Sequence, residues 1–290
     1  MKDLLKELEA MLPESVQLLE HMVKLESPSY DRALVNRLVQ FLADEFGVLG
    51  GETTRIPEED RGDHMLIRFP GESRTPIMLL GHTDTVWPKS TLVERPFRIE
   101  DDIATGPGVF DMKAGIVMMW MAIRALLTIR GKLTHPISIL LISNEEVGSP
   151  GSRALVRSHA AEVGAVLVLE PPLPGGALKT TRNGMGRFIV KAVGKAAHTG
   201  INPEDGVNAV EEIAHQILRI QKLGDVGKKT TVTVAVVEGG TRPNVVPEEC
   251  FVQVDARTPN QEDAERITAA IHALEPTLKG ARLEITGKFR

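Results

Sequence analysis

Apolar residues in the first part of the chain come in short continuous runs that alternate with longer helical patterns. PIMLLGH (76–82), ISILLIS (137–143) and AVLVLE (165–170) are separated by helix-like segments such as AGIVMMWMAIRALLTIRG (114–131). Continuous apolar runs indicate strands covered on both faces, and helices between them favour parallel pairing. We therefore predict an α/β domain over residues 1–178, with a mostly parallel sheet and helices on both faces.

The rhythm changes after the Pro/Gly-rich stretch PPLPGGALKTT (171–181). Four alternating strand patterns and two helical patterns follow, from GMGRFIVKAVG (184–194) to ARLEITGKF (281–289), in the order β-α-β-β-α-β. This order is that of a ferredoxin-like fold. We therefore predict a second, smaller domain over residues 179–290.

Composition excludes several classes of protein. The net charge is −5, with 34 basic and 39 acidic residues, so the chain lacks the basic surplus expected of a nucleic-acid-binding protein. It has no run of eighteen uninterrupted apolar residues, and we expect no membrane span. Its start lacks the apolar region of a secretory signal. Cys250 is the single cysteine and lies in an alternating strand pattern, which predicts a core residue and fits the reducing cytoplasm.

Chemically active side chains follow the ends of three predicted strands. They are His82, Asp84, Glu145, Glu146 and Glu170. Because ligands of open α/β sheets bind outside the carboxyl ends of the strands, we expect these side chains to meet in one crevice. Asp111 lies in the Gly/Pro-rich loop GPGVFDMKAG, immediately before the long helix, and we expect it beside them.

Each of these residues alone has an ordinary structural explanation, such as a turn aspartate or an acid at a helix start. Together, however, five carboxylates and one imidazole in a crevice would repel one another strongly, and Lys113 is the only nearby cation in the sequence. Two divalent metal ions would relieve this repulsion. Oxygen ligands combined with an imidazole suit Zn²⁺, Co²⁺ or Mn²⁺ better than Mg²⁺ or Ca²⁺.

The same residues stand in motifs that resemble the zinc exopeptidase family of carboxypeptidase G, aminoacylase, acetylornithine deacetylase and succinyl-diaminopimelate desuccinylase. The resemblance runs from about residue 20 to the end, and it is strongest to the glutamate carboxypeptidase branch. The motifs are GHTDTV (81–86), GPGVFDMKAG (106–115), NEEVGSPGSR (144–153), LVLEP (167–171), GKAAHTGINPEDGVNAV (194–210) and GGTRPNVVPEECFVQVDARTP (239–259).

The resemblance implies a set of metal ligands and a catalytic domain that holds them. His82 and Glu170 would bind one ion, Glu146 the other, and Asp111 would bridge both. In the family the chain returns to the catalytic domain after the second domain and supplies a further histidine to the second ion. The sequence ends at Arg290 and none of its eight histidines occupies that place, so we expect a truncated chain.

The resemblance also implies the residues that act on the substrate. Glu145 would be the general base, and Asp84 would orient the metal-bound imidazole. The second domain would be a lid through which the protein forms a homodimer. From that lid, His198 would stabilise the oxyanion in the partner's site, while Arg257 and Asn244 would hold the substrate carboxylate and the tetrahedral intermediate.

The implied reaction is hydrolysis of an amide bond next to a free carboxylate. The substrate would be a small peptide that loses a C-terminal amino acid such as glutamate. A deacylase acting on N-acyl amino acids, of the acetylornithine or desuccinylase type, is one alternative. A truncated chain that binds metal or dimerises without catalysis is another.

Overall fold

The computed structural model describes residues 2–289 and divides the chain into two compact units, Met1–Gly176 and Ala177–Arg290. The predicted domains meet two residues further on, after Leu178. The first predicted domain begins at Met1 and the second ends at Arg290, and these two residues lie outside the described residues. Each unit has its own buried apolar core, and the two are described in turn.

The first unit combines six helices with seven strands within its described residues. The helices are α1 (Lys2–Ala10), α2 (Leu12–Lys24), α3 (Arg32–Val48), α4 (Thr91–Glu94), α5 (Ala114–Arg130) and α6 (Ser152–Ala160). The strands are β1 (Glu52–Ile56), β2 (His64–Phe69), β3 (Ile77–His82), β4 (Arg98–Glu100), β5 (Ile103–Thr105), β6 (Ile137–Ile142) and β7 (Ala165–Val168). Local signals set several ends: Asp31 caps α3 by accepting the Leu34 N–H, and Gly131 ends α5 in the left-handed conformation.

The main sheet has the strand order β1-β2-β6-β3-β7, and it is mostly parallel as predicted, since four of its five strands run in one direction and β2 runs opposite to them. β3 runs parallel to both of its neighbours, β6 and β7, whereas β2 runs antiparallel to β1 and β6. The sequence did not reveal the antiparallel pairing of β2 for two reasons. β1 and β2 are joined by a short connection that leaves no room for a crossover helix. The sequence of β1, ETTRI, is polar and largely exposed, so it carries no apolar run to recognise.

Helices cover both faces of this sheet, as predicted. On one face, residues such as Ile67 and Ile139 share a core with α2, α3 and α5. On the other face, Met78 and Leu140 share a smaller core with α6. Side chains in neighbouring positions of a strand point to opposite faces, and this alternation divides the apolar runs between the two cores.

One segment of the described chain, Val109–Arg130, is long and apolar enough by composition to cross a membrane. Half of its most apolar window is buried inside the protein. Ile116, Met119 and Ile123 in this segment are fully buried in the larger core. A core helix of this kind meets the same criterion of length and composition.

The second unit has the predicted ferredoxin-like order. Its elements are β8 (Gly184–Val193), α7 (Ala209–Gln221), β9 (Thr231–Gly239), β10 (Glu249–Thr258), α8 (Gln261–His272) and β11 (Arg282–Phe289). The strands form an antiparallel sheet in the order β11-β8-β10-β9. Buried residues of α7 and α8, such as Ile213 and Ile267, pack with Val190 and Val252 of the sheet. Cys250 is buried in this core, as predicted from its alternating pattern.

Candidate metal centre

The candidate site lies at the carboxyl ends of β6, β3 and β7, three neighbouring parallel strands of the first unit. His82 is the last residue of β3. Glu145 and Glu146 follow the end of β6, and Glu170 follows the end of β7. The topology therefore brings the strand-end residues to one edge of the sheet, as the sequence predicted.

His82 stands at the centre of the cluster and is 1% exposed. Its Nε2 lies 3.0 Å from Asp111 Oδ1 and 3.3 Å from Glu170 Oε1. Its Nδ1 lies 2.9 Å from the backbone carbonyl oxygen of Asp84. Burial alone would lower the pKa of His82, but hydrogen bonds with Asp111, Asp84 and Glu170 raise it to about 12. The surrounding acids thus create a strong preference for positive charge at this point.

Asp84 is buried and joins the two segments that carry the cluster. Its Oδ1 accepts the backbone N–H of Glu145 at 3.1 Å, and its Oδ2 accepts that of Glu146 at 3.2 Å. Oδ2 also accepts the hydroxyl of Ser29 at 2.7 Å. The backbone oxygen of Asp84 is closer to the imidazole of His82 than its carboxylate, which is 3.4 Å away. Asp84 therefore contacts the imidazole chiefly through its main chain, while its side chain fastens the loop of the two glutamates.

Asp111 is placed by a tight turn, Val109–Lys113, immediately before α5. Gly108, with φ of 72°, starts this turn in the left-handed region that favours glycine. The peptide bond between Asp111 and Met112 is cis. At Gly115 a Cβ atom would lie 2.0 Å from the carbonyl oxygen of Leu169, so only glycine allows α5 to approach the segment before Glu170 this closely. The Asp111 turn and Glu170 are thereby held side by side.

Two overlapping groups of side chains could each hold a cation. One group consists of His82, Glu145 and Glu170, and the other consists of His82, Asp111 and Glu146. Within each group the candidate ligand atoms all lie within 4.8 Å of one another. Burial is the main cause that raises the pKa of Glu146 to about 7, and the charge of Asp111 adds to it. Burial likewise raises the pKa of Glu145. Both carboxylates are therefore costly to ionise without a nearby cation.

Lys113 does not supply that cation to the acids. Its side chain is 2% exposed, and its Nζ donates to the carbonyl oxygens of Met22 at 2.9 Å and Leu25 at 3.0 Å, at the end of α2. Burial lowers the pKa of Lys113 to about 7. The lysine thus ties the Asp111 turn to α2.

The predicted substrate residues lie in the second unit, and two of them are neighbours there. The Thr199 N–H donates to the backbone oxygen of Asn244 at 3.2 Å, which joins the His198 loop to the loop of Asn244. Nδ1 of His198 accepts the N–H of Gly200 at 3.1 Å. Arg257 is exposed on β10 and pairs with Asp255, its Nε lying 2.7 Å from Asp255 Oδ1. The roles of His198, Asn244 and Arg257 stay predictions.

Ser29 is the residue of the centre that the sequence did not reveal. It lies in the connection between α2 and α3, and its hydroxyl reaches Asp84 across 55 positions of sequence. A serine in a connection carries no periodic or motif signal, so its contact depends entirely on tertiary folding.

Comparison with known proteins finds relatives of this chain among peptidases. A model of the M20 peptidase dimerisation domain matches residues 180–280, and a model of peptidase family M28 matches residues 65–205. Carboxypeptidase G2 of Pseudomonas sp. (strain RS-16) is 30% identical over 274 residues, which are 93% of this chain and 65% of that protein. The chain is a relative of the M20 metallopeptidases. The resemblance seen in the motifs is thereby confirmed.

Two further comparisons concern a curated relative and a solved structure. Acetylornithine deacetylase of Proteus mirabilis (strain HI4320) is 26% identical over 268 residues, covering 85% of this chain and 67% of that protein. The crystal structure of aminopeptidase PepT from Bacillus cereus ATCC 10987 matches 94% of this chain and 76% of its own, with a TM-score of 0.78 and 24% identity. The structural match supports the fold. The chain spans just under two thirds of the length of carboxypeptidase G2.

Proposed function

We propose that this chain belongs to a metal-dependent hydrolase that cleaves an amide bond next to a free carboxylate. The observation that carries the proposal is the pair of ligand groups that share His82. The similarity to carboxypeptidase G2 supports release of a C-terminal amino acid, with glutamate as the first candidate. The buried single thiol of Cys250 is compatible with a cytoplasmic protein.

The residues of the centre fit divalent metal ions. Nδ1 of His82 faces a carbonyl oxygen, which fixes the proton on that nitrogen and leaves Nε2 to face the acids as a ligand. A cation at Nε2 would replace the proton that the acids otherwise hold there. His82, Asp111, Glu146 and Glu170 would hold two ions, with Zn²⁺ as the first choice and Co²⁺ or Mn²⁺ as alternatives. When bound, such ions act as Lewis acids and bring the pKa of water towards neutrality.

Glu145 is the proposed general base. It lies next to a proposed metal ligand in the chain, and burial raises the pKa of its carboxyl, which makes the carboxylate a better proton acceptor. Its carboxylate oxygen would take a proton from the attacking water and pass it to the leaving amine. Its backbone N–H is held by Asp84 at 3.1 Å, so the base is fixed to the same anchor as His82.

The second unit would supply the groups that bind the substrate. Because Nδ1 of His198 accepts the Gly200 N–H, its proton is on Nε2, which is free to donate to a developing oxyanion in the partner's site. Arg257 would bind the substrate carboxylate through its planar guanidinium, and Asn244 would donate to the tetrahedral intermediate. The match to a peptidase dimerisation domain supports a homodimer formed through this unit.

Two other functions have support of their own. The similarity to acetylornithine deacetylase favours a deacylase of N-acyl amino acids, which would use the same residues on a different substrate. The remaining candidate is a chain that binds metal and dimerises without catalysis, which the ligand groups and the match to a dimerisation domain support equally well.

Metal analysis and paired assays would separate these functions. After dialysis against Zn²⁺ we expect about two ions per chain, and hydrolysis of an acyl-glutamate faster than that of N-acetylornithine. The reverse order of rates would establish the deacylase, whereas two ions without turnover would leave the non-catalytic chain.

The variant Glu145→Gln tests the proposed base directly. We expect kcat to fall by about 10²–10⁴-fold with metal content unchanged, because the amide cannot accept a proton. Glu100→Gln, an exposed acid on β4, is the matched control and should retain full turnover. Unchanged turnover in Glu145→Gln would refute the assignment of the base.

A further inference from the structure

His64 is a buried histidine that takes no part in the metal centre described above. It is the first residue of β2, which pairs with β6, and the residue is 3% exposed. Its Nδ1 lies 3.2 Å from the backbone nitrogen and 2.9 Å from the hydroxyl of Ser143, the residue that follows β6. Ser143 is also the first residue of the segment 143–152, which carries Glu145 and Glu146 and is here named the acid loop.

These contacts determine the state of the imidazole. Because the Ser143 N–H points at Nδ1, that nitrogen must carry a lone pair, and the ring proton is on Nε2. Nε2 lies 3.5 Å from Oε2 of Glu58, which can accept this proton. Burial lowers the pKa of His64, against the raising effect of Glu58, Asp63 and Asp84. The neutral form is thus the one that fits the site.

The order Ser143, His64, Glu58 resembles a nucleophile, a base and an acid, but this cluster is not a catalytic site. Ser143 is fully buried, and its single hydroxyl proton is donated to the carbonyl oxygen of Gly62. A nucleophile must be reachable by its substrate. The contacts of His64 therefore serve to hold the main chain of Ser143.

The rest of the acid loop is anchored as firmly. Asn144 donates through Nδ2 to the carbonyl oxygen of Pro150 at 2.7 Å, and its Oδ1 accepts the hydroxyl of Ser152 at 2.6 Å. The amides of the two glutamates are held by the carboxylate of Asp84. His64 thus holds the start of the loop on one side, and Asp84 holds it on the other.

We propose that His64 is a positioning residue. Its Nδ1 accepts the Ser143 N–H, and this bond places Glu145 and Glu146. This role rests on contacts within the chain. Its consequence for metal affinity rests on the proposed function, because Glu146 is a proposed metal ligand. Loss of the acceptor at Nδ1 would free the start of the acid loop and spread the carboxylates apart.

Amide hydrogen exchange of the metal-free, full-length chain tests the positioning itself. In His64→Leu, which removes the acceptor, we expect the amides of residues 143–148 to exchange at least about tenfold faster, while those of β3 stay unchanged. His64→Asn places an oxygen near the position of Nδ1 and should restore most of the protection. The matched control is His135→Asn, since His135 is an exposed, hydrogen-bonded histidine before the amino end of β6.

Titration with Co²⁺, followed by its visible absorption, tests the consequence. We expect His64→Leu to bind Co²⁺ about 10-fold or more weakly, the size of effect found when a residue supporting a metal ligand is lost, and His64→Asn to recover most of the affinity. Glu58→Ala removes the partner of Nε2–H at a partly exposed position. This variant should show the same changes to a smaller degree, and it takes the place of His64→Leu in the test if His64→Leu does not fold.

The outcomes separate the two proposals. Unchanged protection of residues 143–148 in His64→Leu and Glu58→Ala would overturn the positioning role, as would an equal loss in β3. Faster exchange with unchanged Co²⁺ affinity would also overturn it. If the wild-type chain bound no Co²⁺, the proposed function would fail, and the exchange data would still decide the role of His64.

Discussion

Acids that are buried or half-buried occur in both units, and their surroundings are opposite. In the second unit Glu212 is fully buried on α7, and its carboxylate accepts the N–H groups of Thr277 at 2.9 Å and Leu278 at 2.7 Å. Burial would raise the pKa of Glu212, but these bonds and one from Gln216 lower it below the usual value. In the first unit the pKa of Glu146 is raised to about 7.

The difference shows how a structural acid can be told from a proposed metal ligand. Glu212 is satisfied by donors of its own unit, so it is stable as an anion and fastens the chain after α8. Burial and the charges of Asp111 and Glu145 raise the pKa of Glu146 by more than His82 lowers it, and across residues 2–289 no N–H or O–H group donates to its carboxylate. The proposed partner of its charge is a divalent cation from outside the chain.

The sharpest test of this contrast is the response to metal. Zn²⁺ at about 100 times its dissociation constant should raise the free energy of unfolding of the wild-type chain by about 2.7 kcal/mol. The double variant Asp111→Asn/Glu146→Gln should lose this gain, whereas Glu212→Gln should keep it. Urea denaturation with and without Zn²⁺ measures each value. An equal gain in the double variant would contradict the ligand assignment.

Removal of the structural acid should act without any dependence on metal. We expect Glu212→Gln to lower the free energy of unfolding by about 1.5–3 kcal/mol, because the charged acceptor of the Thr277 and Leu278 amides is lost. Glu211→Gln, its exposed neighbour on α7, is the control and should change little. Equal free energies of unfolding for the two variants would show that the carboxylate of Glu212 does not stabilise the segment after α8.

The pH dependence should also separate the two kinds of acid. Because the pKa of Glu146 is raised to about 7 in the folded chain, the folded state holds its proton more tightly than the unfolded state does. Stability of the metal-free protein is therefore lost as pH rises from about 5 through 7. Between pH 5 and pH 8 the Tm of the wild type should fall by about 2–4 °C more than the Tm of Glu146→Gln. This is the shift that a loss of about 1 kcal/mol in the free energy of unfolding produces.

Calorimetry at both pH values gives this difference, and saturating Zn²⁺ should abolish it. A difference of the opposite sign, with the wild type gaining stability towards pH 8, would mean that donors of the protein already satisfy Glu146. The contrast with Glu212 would then disappear.

The smallest effect is expected at the exposed pair of Arg257 and Asp255. Asp255→Asn should change the free energy of unfolding by about 0.2–1 kcal/mol, since both side chains are solvated. If Arg257 binds the substrate carboxylate, the same variant should alter KM while kcat changes less. A stability loss as large as that of Glu212→Gln would assign the pair to the fold instead of to the substrate.

Sequence patterns were most informative where one physical rule acts alone. Apolar runs identified β3, β6 and β7 because strands buried on both faces need continuous apolar residues. The order of elements after Leu178 predicted the ferredoxin-like unit. β1 was missed because an exposed edge strand needs no such run, and with it the antiparallel part of the sheet was missed.

Around the candidate metal centre, the sequence by itself determined which side chains follow the strand ends, and it predicted that their charges call for cations. Only the tertiary structure decided how they are held: by Ser29 on Asp84, by the Asp84 amide contacts, and by His64 on the acid loop. Residue type and strand position set the charge of a side chain and the sheet edge at which it emerges. The hydrogen bonds that orient it join segments far apart in the chain, and no local pattern encodes them.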